Sequence, residues 1–214
     1  ALLLFDIVRR TLMLPRLRDR WGAAANWFAL AAALLWTVHP LQTESVTYIV
    51  QRAESLGALL YLLTLYCVIR GDQSQRPLAW YACSVAACLL GMATKEIMVT
   101  APLVVLLYDD LFLSDSLGEA LRKRWGLYLG LAATWGLLIH LVRSTQLAER
   151  REELGAPDMW SYFWTQPGVI LHYLRMCFWP YPLCLDAEWP VAKTAIAIAP
   201  ATLVIGSLGI LTLW

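Results

Sequence analysis

Long apolar runs alternate along the chain with short connectors that carry most of the charged residues. Lipid offers no partners to backbone polar groups, so segments that span a membrane are expected to be helical. A helix of about 20 apolar residues crosses the hydrocarbon core of a bilayer. The pattern predicts an all-α, polytopic transmembrane helical bundle. Its spans or part-spans, about seven in number, are residues 21–38, 56–69, 78–93, 98–113, 125–142, 169–179 and 195–214, after the tail of a helix at 1–8.

Three connectors are rich in basic residues. Five arginines lie between residues 9 and 20, Arg70 and Arg76 flank the second connector, and residues 122–124 are all basic. Short basic loops favour the cytoplasmic side, which places the polar segments 39–55, 94–97 and 143–193 on the outer side. Asp109 and Asp110 fall at the inner end of a helix, where we expect them to be solvated.

Composition supports a membrane protein rather than a soluble domain. Hydrophobic residues make up 59% of the chain and charged residues 15%, and the mean hydropathy is +0.56. Soluble domains carry about 25% charged residues. The formal net charge of +1 suggests no nucleic-acid partner, and the five cysteines lack the spacing of metal ligands, so no metal site is expected.

The first outer segment, residues 39–54, is polar but has helical periodicity. Glu44, Tyr48 and Arg52 recur at intervals of four and would share one helix face. His39, Gln51 and Glu54 add further polar groups to this segment. It is interpreted either as an interfacial amphipathic helix with a solvated face or as part of a functional site.

Two other outer motifs place ionisable groups beside apolar runs. Lys95 and Glu96 lie between two such runs with almost no loop, although an ionisable residue at the bilayer centre costs about 2.5–3.5 kcal/mol. The pair either neutralises itself or offers Lys95 to an anionic phosphate. His172 and Arg175 are neighbours on a helix, in a segment that could equally be a rigid, aromatic outer cap. Cations that hold phosphate, with carboxylates that orient a hydroxyl, suit a lipid-linked phosphate substrate.

Three segments carry a family resemblance: HPLQTESVTYIVQRAESL (39–56), ATKE (93–96) and QPGVILHYLRMCFWPYPLCLD (166–186). They resemble bacterial relatives of the transmembrane and tetratricopeptide-repeat O-mannosyltransferases, which belong to the GT-C superfamily of polyprenyl-phosphate-sugar-dependent glycosyltransferases. The resemblance implies a GT-C-like membrane core. Residues 1–214 would be one partial transmembrane domain, truncated at both ends, without the first outer loop and the downstream repeats.

The resemblance further implies a membrane glycosyltransferase of the bacterial inner membrane with a periplasmic site. It would move a sugar such as mannose from a polyprenyl-phosphate donor to a protein or other acceptor, without a cofactor or metal, and this fragment alone would be inactive. The expected site comprises catalytic His39, Glu44 and Glu54, with the principal acid upstream of Ala1; phosphate-binding Arg52, Lys95 and Arg175; and the pocket residues Tyr48, Gln51, Glu96 and His172. The alternatives are a lipid-linked-sugar transporter or flippase and a non-catalytic membrane scaffold for the repeats.

Overall fold

The computed structural model describes residues 1–43, 47, 51–144, 159–181, 190–192 and 194–213. Those residues form helices and their connectors, with no strand among them, which confirms the all-α prediction. The chain divides into two compact units, Ala1–Thr145 and Gln146–Trp214.

Unit 1 contains eight of the helices described here: α1 Leu2–Leu12, α2 Pro15–Trp21, α3 Ala25–Val38, α4 Arg52–Asp72, α5 Pro77–Met92, α6 Ala101–Tyr108, α7 Leu117–Lys123 and α8 Trp125–Ser144. Short 3₁₀ turns occupy Gly22–Ala24, Pro40–Gln42 and Glu96–Thr100, and a π-helical turn follows α6 at Asp109–Leu113. Unit 2 contains α9 Met159–Phe178 and α10 Ala195–Leu213.

Two helical stretches among the described residues are long and apolar enough to cross a membrane, Pro15–Val38 and Arg52–Asp72. A third is obtained if Glu96–Leu113 and Leu117–Lys123, bent by 109°, form one broken span. Shorter apolar helices cover Pro77–Met92, Trp125–Leu141 and Ile198–Leu211. Large apolar side chains point outward, with Trp27 74% and Leu78 80% exposed. Lipid would cover such surfaces, so the fold is that of a helical membrane protein.

The core of unit 1 lies between α4, α5, α6 and α8. Helices α4 and α5 form its most extensive contact. The buried side chains that meet here are Val68, Cys88, Met92, Met98, Ala101, Val105, Leu127 and Leu131. Close packing of this kind, with small residues at the helix contacts, holds helices together in a membrane, where lipid removes most of the hydrophobic drive for association.

Gly130 lies where α8 packs against α5. A Cβ atom on this glycine would lie 2.8 Å from Cγ2 of Val85, a short branched side chain with little freedom to move. We expect Gly130→Ala to lower the free energy of unfolding by about 1–3 kcal/mol, the usual cost of overpacking. Gly126→Ala on the same helix is the matched control, because nothing lies within 4 Å of its Cβ position. Equal unfolding midpoints for the two variants in detergent would contradict this packing.

Helix α9 begins earlier than the sequence suggests. The sequence interpretation places residues 143–193 on the outer side with a short apolar part-span at 169–179, whereas α9 starts at Met159 and contains Pro167. Polar side chains just before this proline donate to backbone carbonyls one turn earlier in the same helix. Thr165 Oγ1 donates to the Ser161 carbonyl at 2.7 Å, and Gln166 Nε2 donates to that of Tyr162 at 3.4 Å. Thr165 and Gln166 therefore lie inside a helix that continues into the apolar part-span.

Candidate functional site

The two ends of unit 1 differ in their charged residues. At one end the three basic connectors meet: Arg10 donates to Gln73 at 2.7 Å, Arg16 donates to the Ser114 carbonyl at 3.1 Å, and Lys123 lies 3.8 Å from Asp72. We call this the basic end. Helix α4 runs from there for 21 residues, roughly 30 Å, to the end that carries Lys95, which we call the Lys95 end.

Lys95 occupies a tight turn after α5. The backbone N–H groups of Thr94 and Lys95 both donate to the Gly91 carbonyl, at 2.8 and 3.0 Å, and Lys95 itself is extended. Met98 packs directly against Gly91, where there is no room for a Cβ atom. The chain therefore cannot shift easily at this point, and the position of the lysine backbone is fixed.

The ammonium group of Lys95 forms a salt bridge with the carboxylate of Glu54, in the first turn of α4. The two side chains are 34% and 39% exposed. Among the salt bridges of the described residues, Lys95 is joined to Glu54 and not to the adjacent Glu96, so the local self-neutralisation considered from the sequence is not what the structure shows. An ammonium group with one carboxylate and an open side can accept a second anion.

Neighbouring contacts hold the two sides of this ion pair together. The Cβ atom of Lys95 lies close to Gly57, where an added Cβ would be 3.4 Å away. The Tyr61 and Thr100 hydroxyls are 3.1 Å apart, and Trp135 Nε1 donates to the Val99 carbonyl at 3.1 Å. These contacts tie the 3₁₀ turn Glu96–Thr100 to α4 and α8, so Lys95 is presented by a supported turn.

The other predicted residues of unit 1 are placed as follows. Arg52, exposed, opens α4 two residues before Glu54, and Gln51 precedes it. Glu96 is exposed beside Lys95. His39 caps the 3₁₀ turn Pro40–Gln42, where its Nδ1 accepts the Leu41 N–H at 3.2 Å. Glu44 and Tyr48 lie outside the described residues, so the shared helix face of Glu44, Tyr48 and Arg52 stays a prediction.

Unit 2 contains the remaining two predicted residues. His172 and Arg175, one turn apart on α9, line an open groove of about 810 Å³ between α9 and α10. Its other walls are apolar: Gly168, Leu171, Leu174, Phe178 and Leu208. A groove with a basic rim and apolar walls has the chemical character of a site for an anionic amphiphile.

The most extensive polar cluster of the described residues was not anticipated from the sequence. Asp109 is completely buried, so the expectation that it is solvated is wrong. Nη1 of Arg124 donates to both carboxylate oxygens of Asp109, at 2.7 and 2.9 Å. Ser114 and Tyr128 donate to the same carboxylate at 2.7 and 2.5 Å. The π-helical turn after α6 brings Ser114 back over Asp109.

Arg124 joins this carboxylate to two more helices. Its Nε donates to the Tyr81 hydroxyl at 3.1 Å, and Nη2 forms a salt bridge with Asp72 at the end of α4. Burial alone would lower the pKa of the guanidinium, but the Tyr81 hydrogen bond and the charges of Asp109 and Asp72 raise it above its ordinary value. In the sequence, Asp109 lies between an apolar run and a basic connector, and that position was the available signal for this cluster. We call Asp72, Asp109 and Arg124 the ionic clamp.

Comparison with known proteins gives partial matches. The chain is 36% identical over 91 residues to the protein O-mannosyl-transferase Tmtc2 of Drosophila melanogaster, covering 40% of this chain and 10% of that protein. It is 28% identical over 132 residues to human protein O-mannosyl-transferase TMTC3 (57% of this chain, 14% of that protein), and 33% identical over 88 residues to human TMTC2 (39% and 10%).

No protein-family model matches the chain, and no solved structure matches it significantly. The chain spans between a tenth and about a seventh of the length of the curated relatives that it matches. At this level the similarity relates the chain to a segment of the protein O-mannosyl-transferases TMTC2 and TMTC3.

Proposed function

We propose that the chain is part of a membrane glycosyltransferase that moves a sugar, such as mannose, from a polyprenyl-phosphate donor to a protein or other acceptor. The reaction would take place at the Lys95 end, on the outer face of the membrane. The observation that carries the proposal is the half-exposed Glu54–Lys95 ion pair on its supported turn, together with the similarity to named O-mannosyl-transferases.

The chemistry requires one bond to break and one to form. The bond between the sugar C1 and the phosphate oxygen breaks, and C1 bonds to the acceptor hydroxyl oxygen. Lys95 and Arg52 stabilise the negative charge that develops on the departing polyprenyl phosphate. The hydroxyl proton passes to a carboxylate, for which this chain offers Glu54 and Glu44.

Glu54 has two successive roles in this proposal. Before the donor binds, it holds the ammonium group of Lys95 in position. When the phosphate takes over that ammonium group, the Glu54 carboxylate is released toward the acceptor. His39, Gln51, Tyr48 and Glu96 would shape the sugar and acceptor pocket.

The test uses the full-length membrane protein, purified in lipid and supplied with polyprenyl-phosphate mannose and an acceptor. We expect donor-dependent transfer to the acceptor. Arg52→Ala should reduce kcat/KM for the donor by about tenfold, as for loss of one charge-assisted phosphate contact, and leave membrane insertion unchanged. Arg18→Ala, exposed in α2 at the other end, is the control.

Three outcomes would contradict the proposal. Unchanged transfer kinetics in Arg52→Ala would remove this residue from the donor site. Movement of the intact lipid-linked sugar across the bilayer, without transfer to an acceptor, would indicate a transporter instead. A wild-type protein with neither activity would indicate a scaffold.

A further inference from the structure

A hollow of about 490 Å³ opens beside the start of α5, at the basic end of unit 1 and remote from Lys95. The residues that line it are Ser74, Gln75, Arg76, Ala79, Trp80 and Cys83. We call it the Trp80 hollow. Nothing in the proposed transfer reaction uses these residues.

The mouth of the Trp80 hollow is positively charged. Arg76 is exposed there, and the guanidinium carbon of Arg70 lies 4.8 Å from the centroid of the Trp80 ring, a cation–π arrangement. The nearby carboxylate of Asp72 is already paired with Arg124 and Lys123. In the described part of the chain, no carboxylate lies within 4 Å of Arg70 or Arg76. The hollow therefore favours an anion.

The wall of the hollow is apolar and runs along α5. Ala79 and Trp80 lie one helical turn after the polar mouth, and Cys83 lies one turn further along the helix. Trp80 is held by an edge-to-face contact with Tyr66, with ring centroids 6.3 Å apart. Tryptophan in membrane proteins favours the level of the lipid headgroups. Polar mouth and apolar wall thus follow the order of headgroup and acyl chain in a lipid.

We propose that the Trp80 hollow binds an anionic phospholipid of the leaflet at the basic end. The phosphate lies at Arg76, the Arg70 guanidinium on the Trp80 ring adds positive charge nearby, and an acyl chain packs along Ala79, Trp80 and Cys83. The occupant is a lipid rather than a soluble phosphate because half of the lining is apolar and would not bind a hydrophilic ion. Basic side chains at a membrane surface attract anionic lipids in this way. The inference is independent of the proposed transferase activity.

The experiment measures lipid retention by the full-length protein in mixed phosphatidylglycerol and phosphatidylcholine nanodiscs, with native mass spectrometry after release into detergent. Each guanidinium near the headgroups is expected to contribute about fivefold to the preference for the anionic lipid. In the Arg70→Gln/Arg76→Gln variant, the preference for the anionic lipid should fall by about tenfold or more. Arg18→Gln/Arg20→Gln removes the same charge from exposed positions of α2, outside the hollow, and should retain it.

A second measurement needs no change to the arginines. Cys83 is exposed and lines the hollow, so its alkylation by a charged maleimide reports occupancy, in a Cys177→Ser/Cys184→Ser background. We expect alkylation to be slower in phosphatidylglycerol than in phosphatidylcholine. Equal lipid loss in both double variants, equal alkylation rates in the two lipids, or equal protection by soluble glycerol 3-phosphate would each overturn the proposal.

Discussion

Arg124→Met is expected to lower the free energy of unfolding by about 3–5 kcal/mol, because it leaves a buried carboxylate without its counter-charge. The Arg124 side chain is 1% exposed and that of Asp109 is not exposed at all. The substitution would also remove the donors that now satisfy Tyr81 and Asp72. The measurement is the unfolding equilibrium of the purified protein in mixed micelles of increasing SDS content.

Two companion variants identify the cause of that loss. Arg122→Met removes an exposed arginine of the same connector and should change the free energy of unfolding by no more than about 0.5 kcal/mol. Asp109→Leu combined with Arg124→Met removes both charges and should recover a large part of the lost stability, since buried pairs are often replaceable by apolar residues. If the single and double variants are equally destabilised, the ionic clamp is not the source of the effect.

Lys95→Ala is expected to lower kcat/KM for the polyprenyl-phosphate donor by about 10²-fold, close to 2.7 kcal/mol of transition-state stabilisation. The reason is that Lys95 is the ammonium group that the structure holds at the Lys95 end with an exposed side. Lys95→Arg keeps the charge but changes its shape, so it should retain part of the activity. Transfer kinetics on the full-length protein, with donor concentration varied, measure both.

A charge exchange separates a structural role of the ion pair from a phosphate-binding role. Glu54→Lys combined with Lys95→Glu keeps a salt bridge between α4 and the turn. The free energy of unfolding of this double variant should therefore be higher than that of either single variant. Transfer should not be restored, because the cation would then sit on α4 rather than on the supported turn. Recovery of full transfer in the exchanged protein would contradict the assignment. Lys123→Ala, at the basic end, serves as the charge control.

The sequence was sufficient to predict the helices, the membrane environment and the separation of basic connectors from polar motifs at opposite ends of unit 1. The basic connectors meet at one end of the unit, as their shared charge suggested. The contact between Glu54 and Lys95 was not predictable as a pair. Its two members are separated by two helices in sequence, and only the packing of α4 against α5 brings them together.

Asp109 was predicted wrongly from the sequence. It was expected in water because charged residues at helix ends usually are, but it is buried and paired with Arg124, Ser114 and Tyr128. The sequence shows that the residue is charged, whereas the partners that allow its burial become visible only once the helices are packed.

The ionic clamp also has a mechanical consequence. It fastens the termini of α4, α5, α6 and α8 at one point, through Asp72, Tyr81, Asp109 and Arg124. At the far termini, the Glu54–Lys95 ion pair and the Tyr61–Thr100 and Trp135–Val99 contacts join α4 and α8 to the turn after α5. The four helices are therefore held at both extremities, and any rotation of one against the others would have to break polar contacts at one end or the other.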